Sequence, residues 1–177
     1  MRRKEVMFVD GYNMIGAWPE LAHLQRKDEI EAARDLLLFE LSNYRKFRDL
    51  DMIVVFDAQY VPGITQSYQE YDLLVVFTQE GETADAYIER RVKAYLNPIT
   101  RVMVATSDAA EQWMIFQQGA LRISALELKM DLDYAKQEIQ SHVRDHHHAR
   151  SIRKSPWHYQ QIQLLDQLRR EIEDQSE

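Results

Sequence analysis

Three apolar segments of this chain each lead into an aspartate, and these carboxylates are the side chains best suited to chemistry. The segments and their acids are residues 6–9 with Asp10, residues 53–56 with Asp57, and residues 102–105 with Asp108, which follows Thr106 and Ser107. Short apolar runs bounded by turn residues predict buried strands, and parallel strands present their carboxyl ends at one edge of a sheet. Because the chain has no cysteine, an acidic pocket at that edge favours a hard divalent cation, and so phosphoryl chemistry.

Further polar residues join this set. Asp85 falls in the first turn of a predicted helix that Thr83 is placed to cap, with Glu82 just before it. Asn13 follows Asp10 by one turn, so its amide is placed to orient a water or a phosphate oxygen. Mg²⁺ and Mn²⁺ prefer such oxygen ligands, and a bound cation lowers the pKa of its water and orients it. We therefore expect the four aspartates to lie together.

A purely structural interpretation of each aspartate stays open. Aspartate after a strand often closes a turn or caps a helix. Asp108 is well placed to cap a helix over residues 109–118, although Ser107 can serve as the cap instead and leave Asp108 for the site. The joint occurrence of these acids with Asn13 favours the functional interpretation.

The elements that must position these residues alternate along the chain. Strands are predicted over residues 5–9, 51–56, 73–77, 101–105 and 121–124. Helices are predicted over residues 28–49, 84–96, 109–118 and 126–147, with a last one starting at Ser155, and residues 10–27 and 58–70 are predicted to be loops. Asp28 is the expected N-cap of the first helix, and Gly119 suits the position after the third. The alternation predicts an α/β fold, with a parallel sheet covered on both faces.

Composition narrows the class of protein. The chain has 177 residues, 45% of them hydrophobic, which suffices for one domain with an appendage. It has only 5 glycines and no Gly-rich phosphate loop, which argues against a P-loop or a dinucleotide site. No apolar run approaches the length of a membrane span and no apolar leader precedes the first strand. We therefore expect a soluble, cytoplasmic protein.

The formal net charge of −7 bears on the partners. It is the wrong sign for a generic nucleic-acid binder, whose affinity comes largely from neutralising phosphates. Binding of nucleic acid then requires local basic patches, or a partner that presents the substrate. The candidate RNA-binding cations are Arg90 and Arg91 on the helix of Asp85, and Arg144, Arg150, Arg153 and Lys154 in the densest positive segment. An ordinary solvated helix face is the alternative for Arg90 and Arg91.

Aromatic residues also flank the acidic strand ends. Tyr12, Trp18 and Tyr60 lie in predicted loops, where they can stack on RNA bases. Tyr12 is the best placed of the three, since it lies two residues after Asp10. Trp18 and Tyr60 can equally cover the edges of the core.

Four segments of the chain, in this order, resemble the NYN-domain proteins, which belong to the PIN-like nucleases. They are FVDGYN at residues 8–13, VFDA at 55–58, ETAD at 82–85 and ATSD at 105–108. The resemblance covers about residues 5–150 and is strongest to the YacP-like branch, which includes ribosome-associated messenger-RNA endonucleases. The four segments together are much more specific than the DGYN motif alone.

The resemblance implies a three-layer α/β/α fold with a central, mainly parallel sheet, and hydrolysis of RNA phosphodiester bonds with Mg²⁺ or Mn²⁺. By matching motif, Asp10, Asp85 and Asp108 form the acidic core. Asn13 is their polar companion in catalysis. Asp57 matches less closely, and it either binds metal through water or only shapes the site.

The YacP-like branch further implies docking on the ribosome and cleavage of messenger RNA there, which would account for the acidic net charge. The nuclease domain is then residues 1–150. Residues 151–177 form a helical extension that packs on the domain or on a partner, and a homo-oligomer is one such arrangement. In-line attack by a metal-activated water would leave 5′-phosphate and 3′-hydroxyl ends.

Two other functions compete with the nuclease. A phosphoacceptor receiver domain also places aspartates at strand ends and keeps a Thr or Ser after the fourth strand, as Thr106 and Ser107 do here. A receiver requires a lysine just past the fifth strand, however, and residues 124–127 supply none. The second alternative is a non-catalytic adaptor that binds RNA or the ribosome through a nuclease-like fold.

Overall fold

The computed structural model describes residues 4–58, 67–70, 72–108 and 119–154, the side chains of 67–70 and 142–154 excepted. The chain divides into two compact units, Met1–Lys136 and Gln137–Glu177. The first unit carries the sheet and every residue of the acidic cleft described below. No helix among the described residues is long and apolar enough to cross a membrane.

The strands and helices alternate as the sequence predicts. The strands are β1 (Lys4–Asp10), β2 (Asp51–Phe56), β3 (Ser67–Glu70), β4 (Leu73–Phe77), β5 (Thr100–Ala105) and β6 (Leu121–Ile123). The helices of the described residues are α1 (Gly11–Ala17), α2 (Pro19–Arg26), α3 (Ile30–Arg48), α4 (Ala84–Tyr95) and α5 (Ala125–Lys154).

The six strands form one sheet in the order β3-β4-β2-β1-β5-β6. All neighbours pair in parallel except β3, which runs antiparallel along the outer edge of β4. β1 therefore lies at the centre, between β2 and β5. The chain leaves β1 in one direction and later returns to its other side, so the carboxyl end of β1 marks a topological switch point, where α/β folds bind ligands.

Helices cover both faces of the sheet because the central strands are apolar on both sides. Met7 and Val9 of β1 pack in a core with helix residues such as Leu37, Leu41 and Leu128. Val6 and Phe8 point to the opposite core, which contains Ile88 and Val92 of α4. This arrangement is the predicted α/β/α layering.

The prediction of a loop over residues 10–27 was wrong, because α1 and α2 occupy it. The loop was predicted because Gly11, Gly16 and Pro19 were interpreted as breaks in secondary structure. Pro19 is instead the first residue of α2, where a missing N–H costs nothing. Asp10 caps α1 with its side chain, so the residue expected to end a strand also starts a helix.

Several boundaries also differ from the predictions. Asp28 is not an N-cap: its φ is 63°, and α3 begins after Glu29. The stretch predicted as a loop over 58–70 contains β3 at its end. The last described helix runs past the predicted end at 147, to Lys154. The predicted helices over 109–118 and from Ser155 onward lie outside the described residues, and the division into residues 1–150 and 151–177 stays a prediction.

Candidate active site

Asp10 is held at the end of β1 by two hydrogen bonds. Its Oδ1 accepts from the backbone N–H of Asn13 at 3.0 Å, and its Oδ2 accepts from the Asn13 side-chain amide at 3.0 Å. The Asn13 Oδ1 in turn accepts from the backbone N–H of Ser107 at 3.3 Å. Asn13 thus connects the β1–α1 turn to the residues that follow β5, and it fixes the orientation of the Asp10 carboxyl.

Asp85 approaches Asp10 from α4. Thr83 caps that helix, as predicted, by accepting a hydrogen bond from the Ala86 N–H at 3.2 Å. Asp85 lies in the first turn of the helix and lines the same cleft as Asp10, close enough to raise the pKa of Asp10. Residues far apart in the chain therefore bring two carboxyl groups together at the carboxyl edge of the sheet.

The pKa of Asp10 is raised from 3.8 to about 6. Burial is the largest cause, since only 5% of the residue is exposed and its charged form loses solvation. The bonds from Asn13 oppose the rise, and the neighbouring Asp85 carboxylate adds to it. Two carboxyl groups this close repel each other unless a proton or a cation lies between them.

An open cleft of about 630 Å³ surrounds this pair. Its lining includes Asp10, Tyr12, Asn13, Asp57, Asp85 and Ser107. Asp108 is not part of the described lining, and its N–H donates to the Thr106 Oγ1 at 3.1 Å. The structure therefore brings together Asp10, Asn13, Asp57 and Asp85, while Asp108 lies beside this group. The placement of Asp108 does not test its predicted role as a metal ligand, which stays a prediction.

The sequence model of the YacP-like NYN domain matches residues 7–170. The chain belongs to this family. NYN domains form part of the PIN-like nuclease superfamily, whose members generally use divalent metals. The resemblance found in the four motifs is thereby confirmed.

Two comparisons extend the family match. The chain is 44% identical to the YacP protein of Bacillus subtilis (strain 168) over 140 residues, which cover 79% of this chain and 82% of the relative. It superimposes on the crystal structure of Rae1 (YacP) from Bacillus subtilis with a TM-score of 0.72 and 38% identity, covering 97% of this chain and 94% of that one. A crystal structure of a point mutant of the same protein gives a TM-score of 0.71 and 42% identity, with coverage of 80% and 82%. The predicted PIN-like fold is confirmed.

The donor set of the NYN cleft fits a small hard cation. No cluster of three or more His, Asp or Glu side chains with metal-binding geometry occurs among the described residues. Mg²⁺ does not need one, because it usually binds through one or two carboxylates, with waters and substrate phosphates completing its shell. Asp10 and Asp85 supply two such carboxylates. A cation between them would relieve their repulsion, as a shared proton does when no cation is bound.

Tyr12 forms part of the cleft wall, and aromatic residues hold it in place. Its ring meets that of Phe56 edge-on, with centroids 5.1 Å apart, and Phe56 stacks on Phe77 at 5.4 Å. The Arg34 guanidinium donates to the Tyr12 hydroxyl at 3.1 Å and lies over the Phe77 ring at 5.6 Å. Tyr12 is therefore a fixed wall residue, and its predicted stacking on RNA bases stays a prediction.

Gly11 permits this packing. A Cβ built on Gly11 would lie 2.2 Å from a ring carbon of Phe56, closer than any side chain tolerates. The sequence analysis did not predict the contacts that Phe56 and Arg34 make here. Nothing in their spacing indicates that they meet the β1–α1 turn, because these contacts exist only in the folded chain.

Two of the predicted RNA-binding cations, Arg90 and Arg91, are not part of the described cleft lining. Arg90 forms an ion pair with Glu82 at 2.6 Å, and its guanidinium lies 5.3 Å from the centroid of the Tyr87 ring. Arg91 lies over the Tyr95 ring at 5.9 Å. Both are on the same helix as Asp85. These contacts do not test the predicted role in holding RNA, which stays a prediction.

Among the remaining candidates, the structure describes only the side chain of Trp18. Arg144, Arg150, Arg153 and Lys154 belong to α5, but their side chains lie outside the described part of the structure, as does Tyr60. Trp18 is 2% exposed and joins α1 to α2, so it covers the core, the second of its two predicted roles.

Proposed function

We propose that this NYN protein is a metal-dependent endoribonuclease. The observation that carries the proposal is the convergence of the Asp10 and Asp85 carboxyl groups in one cleft at the switch point of the sheet. Structural carboxylates seldom face each other at the floor of an open cleft, because their repulsion opposes folding. The family membership supports the same reaction class, and the receiver alternative gives Asp85 no role.

The residues of the cleft divide the work of hydrolysis. Asp10 and Asp85 would hold Mg²⁺ or Mn²⁺, which supplies an activated water and shields the phosphate charge when bound. Asn13 keeps the Asp10 carboxyl oriented through the bonds at 3.0 Å, so that little reorganisation is needed during reaction. Asp57 lines the cleft and is placed to orient a water. Asp108, as the motif implies, would act from beside this group.

Messenger RNA at the ribosome is the proposed substrate, and the cytoplasm the proposed location. The support is the resemblance to the YacP-like branch together with the net charge of −7. A protein with this charge gains little affinity for RNA from non-specific attraction to phosphates. A partner that presents the RNA would therefore supply the affinity that the protein lacks.

The test is cleavage of labelled messenger RNA by the purified protein, with and without translating ribosomes, in Mg²⁺ or Mn²⁺. We expect cleavage that EDTA abolishes and that Asp85→Ala lowers by about 1,000-fold, since a ligand of the catalytic ion contributes several kcal/mol to the transition state. Glu89→Ala is the matched control, because Glu89 lies on the same helix, pairs with Lys93 at 3.1 Å and is not part of the described cleft lining.

Each result discriminates between functions. Cleavage only with ribosomes would establish that they present the substrate, and 5′-phosphate ends would establish attack by water. Ribosome binding without cleavage under any condition would refute the enzyme and support the adaptor.

A further inference from the structure

A second, smaller pocket adjoins the acidic cleft. This side pocket has a volume of about 220 Å³, and its lining includes Ala17, Trp18, Ser107, Ser124, Leu126 and Lys129. Ala17 and Ser107 also line the acidic cleft, so the two spaces are contiguous. The side pocket lies past the carboxyl ends of β5 and β6, at the same edge of the sheet as the carboxylates.

The walls of the side pocket are firmly built. The Trp18 indole N–H donates to the Ala125 carbonyl at 2.9 Å, which joins the α1–α2 connection to the start of α5. The Glu127 side chain accepts from the Ser124 N–H at 2.7 Å, and the Ser124 hydroxyl accepts from the Glu127 N–H at 3.2 Å. This reciprocal capping box fixes the first turn of α5. The pocket is therefore formed before any ligand arrives.

The chemistry of the lining selects among the parts of an RNA strand. No carboxylate belongs to the described lining, so the side pocket is not a second cation site. Lys129 is its one described cation, but the ammonium already contacts Glu20 and lies 3.6 Å from Asp133, which compensates its charge and disfavours a phosphate. The remaining surface is chiefly the carbon of Ala17, Trp18 and Leu126. A flat, largely apolar group with polar edges is the best match.

We infer that the side pocket binds the base of the nucleotide next to the scissile phosphodiester bond. The inference rests on the proposed function, since it takes the bond itself to lie in the acidic cleft. A strand that places a phosphate beside Asp10 and Asp85 has a neighbouring base within reach of the shared residues Ala17 and Ser107. The hydroxyl of Ser107 and the ammonium of Lys129 then face the polar edges of that base.

The test combines an altered pocket with altered RNA. Leu126→Glu places a charge on the apolar wall, and it spares the fold because Leu126 is 70% exposed and acids are favoured in the first turn of a helix. Met130→Glu is the matched control: it adds the same charge one turn later, at a residue 64% exposed and not part of the described lining. Leu126→Ala is a milder second variant. Substrates are short RNAs in which one nucleotide at a time is abasic.

For the unaltered protein we expect one abasic position, next to the cut, to raise KM roughly 5- to 10-fold, the low end of base-stacking energies since Trp18 presents little ring surface. Leu126→Glu should raise KM on intact RNA by a similar factor and lose the effect of that abasic position. Met130→Glu should retain it. The base pocket would be refuted if no abasic position raised KM, or if Leu126→Glu showed the same dependence of KM on the abasic position as the unaltered protein.

Failure of the proposed function gives a different result. The same RNAs are titrated with protein in EDTA, and binding is followed by fluorescence anisotropy. RNA that is bound with the expected abasic profile but never cut supports the base pocket and refutes the nuclease. RNA that is cut without any abasic dependence refutes the base pocket alone, and RNA that is neither bound nor cut refutes both.

Discussion

The two walls of the acidic cleft are built in different ways. The inner wall, which is the β1–α1 turn with Asp10, is buried and fixed: Asn13 bonds both carboxyl oxygens, and Gly11 packs on Phe56. The outer wall, which is the N-terminus of α4 with Asp85, is partly exposed to solvent. Its nearby contacts are a Thr83 cap and surface ion pairs.

The difference indicates a division of roles. The inner wall holds its carboxylate in place at an electrostatic cost, which appears as the raised pKa of Asp10. The contacts at the rim of the outer wall are individually weak in water, so the partly exposed Asp85 side chain can adjust to the ion and the strand, while Ile88 and Val92 keep α4 itself packed on the sheet. We therefore expect substitutions in the inner wall to change stability and those in the outer wall to change mainly function.

Gly11→Ala should have the largest effect on stability. The new methyl group would lie 2.2 Å from the Phe56 ring, which must shift along with its stack on Phe77. Overpacking of this kind costs about 2–3 kcal/mol, and the melting temperature should fall by roughly 5–10 °C in thermal denaturation. Gly16→Ala is the matched control, since nothing lies within 4 Å of a Cβ there. Equal melting temperatures for the two variants would contradict the packing account.

Asp10→Asn should have the next largest effect, and one that depends on pH. The pKa of Asp10 is higher folded, at about 6, than its ordinary value of 3.8, so the folded state binds the proton more tightly. The stability this provides is complete below pH 4 and is lost as the pH rises through 6. In metal-free protein at pH 7.5, removing this cost should stabilise Asp10→Asn by about 3 kcal/mol, and losing one of the two bonds from Asn13 should cost about 1 kcal/mol. The variant should therefore be more stable than the unaltered chain by about 2 kcal/mol, with no such gain at pH 4.

Denaturant unfolding at both pH values measures this difference. Adding Mg²⁺ at pH 7.5 should stabilise the unaltered protein and leave Asp10→Asn nearly unchanged, because the cation compensates the carboxylate that the variant lacks. A variant less stable than the unaltered chain at both pH values would show that the carboxylate is not under electrostatic strain.

Tyr12→Phe should cost less. It removes the hydroxyl that accepts from Arg34 at 3.1 Å and leaves a half-buried guanidinium with one bond fewer, which costs about 1 kcal/mol. Arg34→Met should cost a similar amount, and the double variant should cost less than the sum of the two. Denaturant unfolding of all four proteins gives the coupling energy. Strict additivity would show that the bond contributes nothing to the inner wall.

Arg90→Ala should leave stability unchanged. Arg90 is exposed, and its ion pair with Glu82 at 2.6 Å is of the kind that seldom contributes measurably. RNA affinity should instead fall several-fold, with a shallower dependence on salt, since one phosphate contact is lost. Affinity that is unchanged at low salt would leave Arg90 as an ordinary surface residue.

The sequence predicted the parts of the fold whose cause is local. The strands that lead to Asp10 and Asp57 contain continuous apolar runs, and the Thr83 cap is a short-range bond, so both could be recognised in the chain itself. The α1 and α2 helices were missed because glycine and proline were interpreted as breaks. Two residues could have indicated these helices: Asp10 as the N-cap of α1, and Pro19 at the first position of α2. The Ser124–Glu127 capping box could likewise have indicated the first turn of α5.

The candidate site was predictable in composition but not in packing. The motifs placed Asp10, Asn13 and Asp85 in one pocket, and the structure agrees. They could not show that Asp10 is the buried member, nor that Arg34 supports Tyr12, because both facts depend on contacts between distant elements. The position of Asp108 beside the cleft depends in the same way on the turn after β5.

The central place of β1 also has a consequence for how the molecule forms. The central strand, Lys4–Asp10, pairs on one side with Asp51–Phe56 and on the other with Thr100–Ala105, which follow it in the chain. Such pairings between distant segments give a high contact order, which slows folding. Until β5 emerges, one edge of an apolar strand exposes unpaired N–H and C=O groups, a hazard for aggregation of the nascent chain. The acidic cleft is therefore completed only after β5 and Ser107 have emerged, long after Asp10 itself has been synthesised.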